Sequence, residues 1–234
     1  SYAEAVRRLL DGVAYAERGE RPTKEPPPEI KLPEEYKSLR RRKSGNERYW
    51  RYAYSRGLTD ELIRRYKIGY CRTGEYAGRL IVPVYAFGEL KSFVARAATK
   101  AQLKVRTPTG NKQSETLFNI EQLWGRERVV VVEGVFDALA LHDEAVATFG
   151  HRMSDAQASL LRQAGCRQVV LCWDGDSLAE MAESAYERRL GFDEILVARL
   201  PAGLDPNAAP PYVLRRAVDL AGPYEAPLSQ LGPA

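Results

Sequence analysis

The stretch that most constrains the fold of this chain is residues 129–142, where four valines in a row lead into Glu133-Gly134-Val-Phe-Asp137. An apolar run without polar relief predicts a strand buried on both faces, and the apolar spacing after Gly134 predicts a helix. This arrangement would place Glu133 and Asp137 at the carboxyl end of a parallel sheet, where open α/β sheets bind ligands. Taken alone, the stretch is explained more simply by a helix start with an incidental acid.

Two further strands change that interpretation. Residues 168–176 form an apolar strand ending in Asp174 and Asp176, whose i, i+2 spacing directs both carboxylates to one side of an extended backbone. A third strand, residues 194–200, is followed by Asp205. Parallel strands joined through helices share one carboxyl edge, so all these acids would lie close together and repel one another unless a cation neutralised them.

The residue types at this edge point to a particular class of metal. Oxygen ligands without Cys or His favour Mg²⁺ or Mn²⁺ over zinc. Surface acids that never meet are the alternative. The expected metal ligands are Glu133, Asp137, Asp174, Asp176 and Asp205.

The charge distribution divides the chain into two parts. Residues 1–128 contain 27 Lys and Arg against 16 Asp and Glu, whereas residues 129–234 contain 8 against 15. This asymmetry predicts a basic module for phosphate backbones beside an acidic module for cations. The alternative is that two solvated faces happen to differ in charge.

Composition limits the class of protein. A hydrophobic content of 44% is enough for a packed core. The sequence lacks an apolar run approaching the ~18 residues of a membrane span, and it lacks the pattern of a signal peptide. Cys71, Cys166 and Cys172 lack paired ligand spacing, so they are interpreted as reduced core thiols. We therefore expect a cytoplasmic protein without membrane contacts.

The chain is expected to be divided into five segments. They are an N-terminal helix (1–20), a Pro-rich linker (21–33), a basic N-terminal subdomain (34–125), a parallel-sheet α/β domain (126–212), and a C-terminal helix with an exit linker (213–234). Within the parallel-sheet domain, helices are expected from Ser154 to about Ala164 and from Leu178 to Gly191.

Residues 34–70 are expected to be helical, with one helix ending at Gly57 and the next running from Thr59 to Gly69. Their aromatic residues alternate with arginines and could stack on a single-stranded nucleic acid. The favoured interpretation is that the aromatics pack in the core and only the arginine face meets water. The aromatic residues concerned are Tyr49, Trp50, Tyr52 and Tyr54.

From Gly78 the apolar period changes to two, which predicts a small β-rich unit with a hairpin turn at residues 87–89. Residues 90–114 contain no acid, although a solvated basic strand usually carries some. Lys104 and Arg106 alternate on one strand face, and Gly110 lies in a phosphate-sized loop. The candidate phosphate-binding residues of this unit are Arg79, Arg96, Lys100, Lys104, Arg106 and Lys112.

Several of these motifs resemble the topoisomerase-primase (TOPRIM) fold of DnaG-type DNA primases, especially the phage primase-helicase polypeptides. The resemblance covers roughly residues 45–212. Its acidic motifs are Glu133-Gly134-x-x-Asp137, Asp174-Gly175-Asp176 and the Leu-Pro-x-Gly-x-Asp-Pro segment ending at Pro206. Its upstream motifs are Arg56-Gly57-Leu58-Thr59, Ile68-Gly69-Tyr70, Gly78-Arg79-Leu-Ile-Val-Pro-Val and the basic stretch that runs to Leu117-Phe118-Asn119.

The resemblance implies a TOPRIM α/β domain preceded by a basic subdomain of mixed helix and strand, α+β overall. It implies that Glu133, Asp174 and Asp176 are catalytic, and that Lys104 and Arg106 meet nucleotide or template phosphates. Gly150-His151 is similar to the phage branch, and His151 is a candidate supporting residue. Asn207 departs from the family pattern, because cellular primases usually carry a second Asp there.

The resemblance also implies a function, the RNA polymerase core of a DNA primase. Such a core synthesises short RNA primers on a single-stranded DNA template from ribonucleoside triphosphates, and works beside a fused or separate replicative helicase. Ser177-Leu178-Ala179 departs from the usual Ala-Gly, and the chain shows no zinc ribbon. If the chain is phage-encoded, it would act in the host cytoplasm. The alternatives are a TOPRIM nuclease, a topoisomerase and a non-catalytic nucleic-acid-binding module.

Overall fold

The computed structural model describes residues 29–177, Glu183 and residues 191–223. The expected N-terminal helix, most of the Pro-rich linker, nearly all of the helix expected over 178–191 and the exit linker beyond 223 lie outside the described residues. Among the helices that are described, none is both long and apolar enough to span a membrane.

The first half of the described chain forms a five-stranded antiparallel sheet in the order β1-β2-β3-β4-β5. Two helices lie between its first two strands, and two 3-10 turns follow the last strand, at Gln113–Glu115 and Ile120–Leu123. The strands are β1 (Tyr36–Ser38), β2 (Gly69–Cys71), β3 (Arg79–Ala86), β4 (Glu89–Ala97) and β5 (Val105–Arg106), and the helices are α1 (Glu47–Ser55) and α2 (Asp60–Arg65).

The second half forms a four-stranded parallel sheet in the order β7-β6-β8-β9. The expected parallel α/β layer is therefore confirmed, with one addition, the short edge strand β7. The strands are β6 (Arg128–Val132), β7 (Ala145–Ala147), β8 (Gln168–Leu171) and β9 (Glu194–Val197). The helices are α3 (Val135–Ala140), α4 (Asp155–Gln163) and α5 (Pro211–Asp219), with a 3-10 turn at His142–Glu144.

Several boundaries of helices and strands that the sequence predicted from turn and capping residues are confirmed. Phe87 and Gly88 both have positive φ, 54° and 79°, so they form the tight turn of the predicted β3-β4 hairpin. Gly57 follows α1 with φ of 75°, as expected of a helix stop. Thr59 caps α2 by accepting the Leu62 amide, and Ser154 caps α4 by accepting the Gln157 amide.

Two expectations for residues 34–70 are wrong. Residues 34–46 are not helical, because β1 pairs with β2 and the chain then turns through Gly45 at φ 84°. The second helix ends at Arg65, four residues before Gly69, because Lys67 turns at φ 49° and Gly69 already belongs to β2. Pairing across the sheet overrides helix propensity at both places.

The largest core cluster is shared by the two sheets. Tyr49 and Trp50 of α1 pack in the same cluster as Val130 and Val132 of β6 and Phe136 of α3. Tyr49 is fully buried and Trp50 nearly so, which confirms the core interpretation for these two aromatics, whereas Tyr54 is exposed and departs from it. The three cysteines are free and buried, and burial raises the pKa of each thiol.

Candidate functional site

Three parallel strands deliver acids to one edge of the second sheet. Glu133 directly follows β6, Asp174 follows β8 after two residues, and Asp205 lies on the loop after β9. The loop ends are held together, because the Gly175 amide donates to the Leu204 carbonyl at 3.0 Å. Gly175 also lies so close to the Pro201 carbonyl that a Cβ there would overlap it, which explains a glycine between two acids.

These acids line a cavity of about 400 Å³. Its lining includes the carboxyl groups of Glu133, Asp137, Asp174 and Asp205 and the imidazole of His151. Two cations, Arg56 and Arg96, also line the cavity. Asp176 is exposed and does not line it. The structure therefore brings four of the five expected metal ligands to a single cavity.

Asp137 is the most perturbed acid of the site. Its Oδ2 accepts the Gly134 amide at 3.0 Å, and its Oδ1 accepts the Asn207 amide at 3.2 Å. Burial raises the pKa of Asp137 to about 7, with the negative charges of Asp205 and then Asp174 adding to the effect, although the two amide bonds oppose it. A carboxyl held in this way is poised to lose its proton when a cation binds nearby.

Asp174 shows the same crowding. Burial raises its pKa, the charges of Asp205 and Asp176 raise it further, and His151 opposes the shift. Asp176 therefore lies close enough to Asp174 to influence it, although its side chain faces solvent.

Glu133 is oriented by the loop after β7. The Nδ1 atom of His151 lies 2.9 Å from the Glu133 Oε1 atom. The backbone of the same loop is fixed, because the Phe149 amide donates to the Glu133 carbonyl at 2.8 Å and the Thr148 hydroxyl donates to the Val132 carbonyl. Phe149 adopts a positive φ of 67°, so the chain turns sharply just before Gly150-His151.

The carboxylates that line the cavity are suitable ligands for a hard divalent cation. The acids supply oxygen ligands, and their mutual repulsion would be relieved by a bound cation. Within the described ranges, no group of three or more His, Cys, Asp or Glu side chains is already gathered around one point. Binding would therefore require the side chains around the cavity to converge on the ion.

Arg96 and Arg56 are the basic residues of the cavity lining. The Arg96 Nε atom donates to the Tyr52 hydroxyl at 3.1 Å, so α1 orients this strand residue. The Arg56 guanidinium lies 5.5 Å from the Phe136 ring centroid, and its buried Nε has no hydrogen-bond partner among the described residues. Arg56 was absent from the expected phosphate-binding set, although it begins one of the motifs that carry the family resemblance.

The other candidate phosphate-binding residues lie in different environments. Arg79 is only 6% exposed, and its guanidinium donates to the carbonyls of Ala95 and Leu103, so it clamps β4 to the following loop. The Arg79 guanidinium therefore serves the backbone in this structure, and its expected phosphate contact stays a prediction. Lys100 and Lys104 are exposed.

Arg106 and Lys112 have acidic neighbours. Arg106 donates to the Glu75 carbonyl and lies 4.0 Å from the Glu75 carboxylate. Lys112 forms an exposed ion pair with Glu115 at 3.1 Å. Exposed pairs of this kind contribute little to stability.

Two amide side chains, those of Gln157 and Asn207, link loops around the cavity, a role that the sequence did not reveal for either residue. Gln157, 1% exposed, donates to the carbonyls of Gln113, Thr116 and Thr148, which ties the loop before β6 to the loop after β7. Asn207 donates to the Arg56 carbonyl at 2.9 Å. For Gln157, the capping pattern Ser-x-x-Gln was the only sequence signal, and it indicated a helix start rather than a tether.

Comparison with known proteins supports the class of this fold and site. Residues 130–209 match a family model described as Toprim-like, so the parallel-sheet region is a Toprim-like domain. The chain is 26% identical over 212 residues to the DNA primase of Deinococcus radiodurans, in an alignment covering 68% of this chain and 36% of that protein. The chain spans about a third of the length of the first curated relatives that it matches.

Solved structures of primase catalytic cores share this fold. A DnaG primase catalytic domain bound to single-stranded DNA matches with a TM-score of 0.67 and 20% identity, covering 80% of this chain and 74% of that one. The primase fragment of the bacteriophage T7 primase-helicase protein matches with a TM-score of 0.54 and 18% identity, covering 71% and 70%. The resemblance to TOPRIM-containing DnaG-type primases is confirmed, and the chain has the fold of their catalytic core.

Proposed function

We propose that this chain is the RNA polymerase core of a DNA primase, which joins ribonucleotides on a single-stranded DNA template. The observation that carries the proposal is that four carboxylates and two guanidinium groups line the same cavity, namely Glu133, Asp137, Asp174 and Asp205 with Arg56 and Arg96. A triphosphate with a divalent cation presents the complementary charges, because its phosphates attract the arginines and its cation attracts the carboxylates.

Glu133, Asp174 and Asp176 would hold the divalent ions, with Asp137 and Asp205 completing the site. Bound Mg²⁺ or Mn²⁺ would supply charge neutralisation of the triphosphate and would favour the deprotonated 3′-hydroxyl nucleophile. Asp176 is included because it is exposed and lies near enough to Asp174 for its charge to raise the pKa of that acid.

The remaining residues would bind and orient. Arg56 and Arg96 would contact the phosphates of the incoming nucleotide, and His151 would hold the Glu133 carboxylate in place through the 2.9 Å contact. The exposed side chains of Lys100 and Lys104, with Arg106 and Lys112, would attract template phosphates from outside the cavity.

The proposed partners follow from the same chemistry and from the related proteins. A single-stranded template is supported by the related catalytic domain that was solved with single-stranded DNA. A helicase partner, fused or separate, is supported by the likeness to the primase part of a primase-helicase protein. A cytoplasmic location, in a phage-infected host or otherwise, stays a prediction.

The experiment that tests this function incubates the chain with single-stranded DNA, labelled ribonucleoside triphosphates and either Mg²⁺ or Mn²⁺. The proposal predicts short RNA products that depend on template and metal. Nicked DNA without RNA would identify a nuclease, which shares the acids but uses water as nucleophile. Binding without either product would identify a non-catalytic module.

A further inference from the structure

Asn207 contacts one acidic and one basic residue of the cavity lining. Its backbone amide donates to the Asp137 Oδ1 atom at 3.2 Å, and its side-chain Nδ2 donates to the Arg56 carbonyl at 2.9 Å. Asp137 belongs to α3 of the parallel-sheet domain, whereas Arg56 ends α1 of the basic subdomain. Asn207 therefore bridges two segments that are 81 positions apart in the sequence.

The turn that carries Asn207 is well fixed. The Asp205 side chain accepts the Ala208 amide at 2.6 Å, and the Asp205 carbonyl accepts the amides of Ala208 and Ala209. Pro206 is buried. The position of the Asn207 backbone is thus determined by its own loop, and its side chain transmits that position to Arg56.

The Arg56 carbonyl needs a donor from outside its helix. Arg56 is the C-terminal cap residue of α1, and the last carbonyls of a helix have no partner within it. Gly57, at φ 75°, turns the chain away immediately afterwards. The Asn207 amide supplies the missing donor, and the Arg56 side chain then extends over Phe136 into the cavity.

An amide fits this position where a carboxylate would not. A carboxylate of the same shape only accepts hydrogen bonds, so it would repel the Arg56 carbonyl that it faced. It would also add a negative charge beside Asp137, which already lies near Asp205 and Asp174. The amide therefore both satisfies a carbonyl and keeps a further charge out of the cluster.

We propose that Asn207 is a positioning residue, which holds Arg56 at the cavity wall so that the guanidinium meets the phosphates of a bound nucleoside triphosphate. The inference rests on the proposed function, since it concerns the ligand of the same cavity. It assigns the Asn207 side chain a role through Arg56 and no direct contact with the ligand.

The first part of the test observes Arg56 without any ligand. Arginine Nε–H signals are recorded by ¹H–¹⁵N NMR, and the Arg56 signal is assigned by its disappearance in Arg56→Met. Because the Arg56 Nε is buried, its hydrogen should exchange slowly with water. In Asn207→Ala, we expect exchange to become at least roughly tenfold faster, since this is what a free-energy loss near 1.4 kcal/mol produces.

Asn119 offers a matched control. Its buried amide also donates to backbone carbonyls, those of His142 and Ala145, but it lies outside the cavity lining. Asn119→Ala should lower the thermal unfolding midpoint and leave the hydrogen-exchange rate of the Arg56 Nε–H unchanged. General loosening of the fold is thereby separated from a specific loss of Arg56 placement.

The second part measures the affinity for ATP in the presence of Mg²⁺. Asn207→Ala should weaken binding about tenfold when Arg56 is present and less than about twofold in the Arg56→Met background, because coupled residues are not additive. Asn207→Asp should weaken binding further in both backgrounds through its added charge.

The outcomes are distinguishable. An unchanged exchange rate of the Arg56 Nε–H in Asn207→Ala would overturn the inference. An equal loss of ATP affinity with Arg56 present and in the Arg56→Met background would also overturn it. If Asn207→Ala speeds the exchange of the Arg56 Nε–H but leaves ATP affinity unaffected, the inference is also overturned. If the parent protein fails to bind ATP while the signal responds, the proposed function fails and the structural link between Asn207 and Arg56 stands.

Discussion

Replacing Asp137 by Asn should stabilise the protein at neutral and alkaline pH and should do so less as the pH falls. The pKa of Asp137 is raised from 3.8 to about 7 in the folded chain. An acid with a raised folded pKa contributes stability that is fully present below its unfolded pKa and is lost as the pH rises through the folded pKa. The window for Asp137 therefore runs from about pH 4 to about pH 7.

The shift sets the size of the effect. A difference of about three units at 1.36 kcal/mol each is about 4 kcal/mol at pH 8, which is an upper limit. Asn removes this penalty but replaces one carboxylate oxygen by an NH₂ group, so the amide of either Gly134 or Asn207 loses its acceptor. That loss costs about 1–3 kcal/mol, which leaves a net gain of about 1–3 kcal/mol.

The assay is thermal unfolding of both proteins between pH 5 and pH 8. A gain of this size raises the midpoint by about 2–4 °C per kcal/mol for a chain of this length. Mg²⁺ should raise the midpoint of the parent more than that of Asp137→Asn, because it binds the folded carboxylate. Asp219→Asn, at an exposed position outside the cavity, is the control. A difference between parent and Asp137→Asn that does not change with pH would refute the reasoning.

Three further predictions follow from the site. Asp174→Asn and Asp176→Asn should each abolish polymerisation while circular dichroism shows an intact fold, because each removes a charge that holds the metal but little volume; normal metal binding by calorimetry in both would contradict the assignment. Lys104→Ala and Arg106→Ala should weaken single-stranded DNA binding. The slope of log affinity against log salt concentration should become shallower by about 0.7 for each phosphate that the variant no longer neutralises, and an unchanged slope would contradict the prediction. The chain alone should prime many templates with low selectivity and steep salt dependence, so tight salt-insensitive priming on one trinucleotide would show that selectivity resides within these residues.

The acidic half of the site was predictable because each acid is attached to a strand with a strong apolar signature. Glu133, Asp174 and Asp205 follow runs of residues whose burial forces them into a parallel sheet, and the sheet brings its carboxyl ends together. Their convergence at one cavity is thus a consequence of topology. The exposure of Asp176 was not predictable, since it depends on how the backbone turns at Gly175 against Pro201.

The basic half was predicted less well because long side chains can serve the fold as easily as a ligand. Arg79 and Arg96 both lie on strands of the first sheet, yet one clamps backbone carbonyls and the other reaches the cavity beside Tyr52. Arg56 enters the site only because α1 packs on Phe136 from the other half of the chain. Such placement is set by tertiary packing, which residue spacing does not encode.

The measurement that tests the central claim most directly follows a ribonucleoside triphosphate labelled at its α-phosphate, together with the release of pyrophosphate. If the cavity catalyses nucleotidyl transfer, label should enter RNA and one pyrophosphate should be released for each phosphodiester bond formed, only with single-stranded DNA and a divalent ion present. Glu133→Gln should abolish both signals, whereas Asp219→Asn, outside the cavity, should retain them. Template-independent release, or transfer that persists in Glu133→Gln, would contradict the assignment of this cavity as the polymerase site.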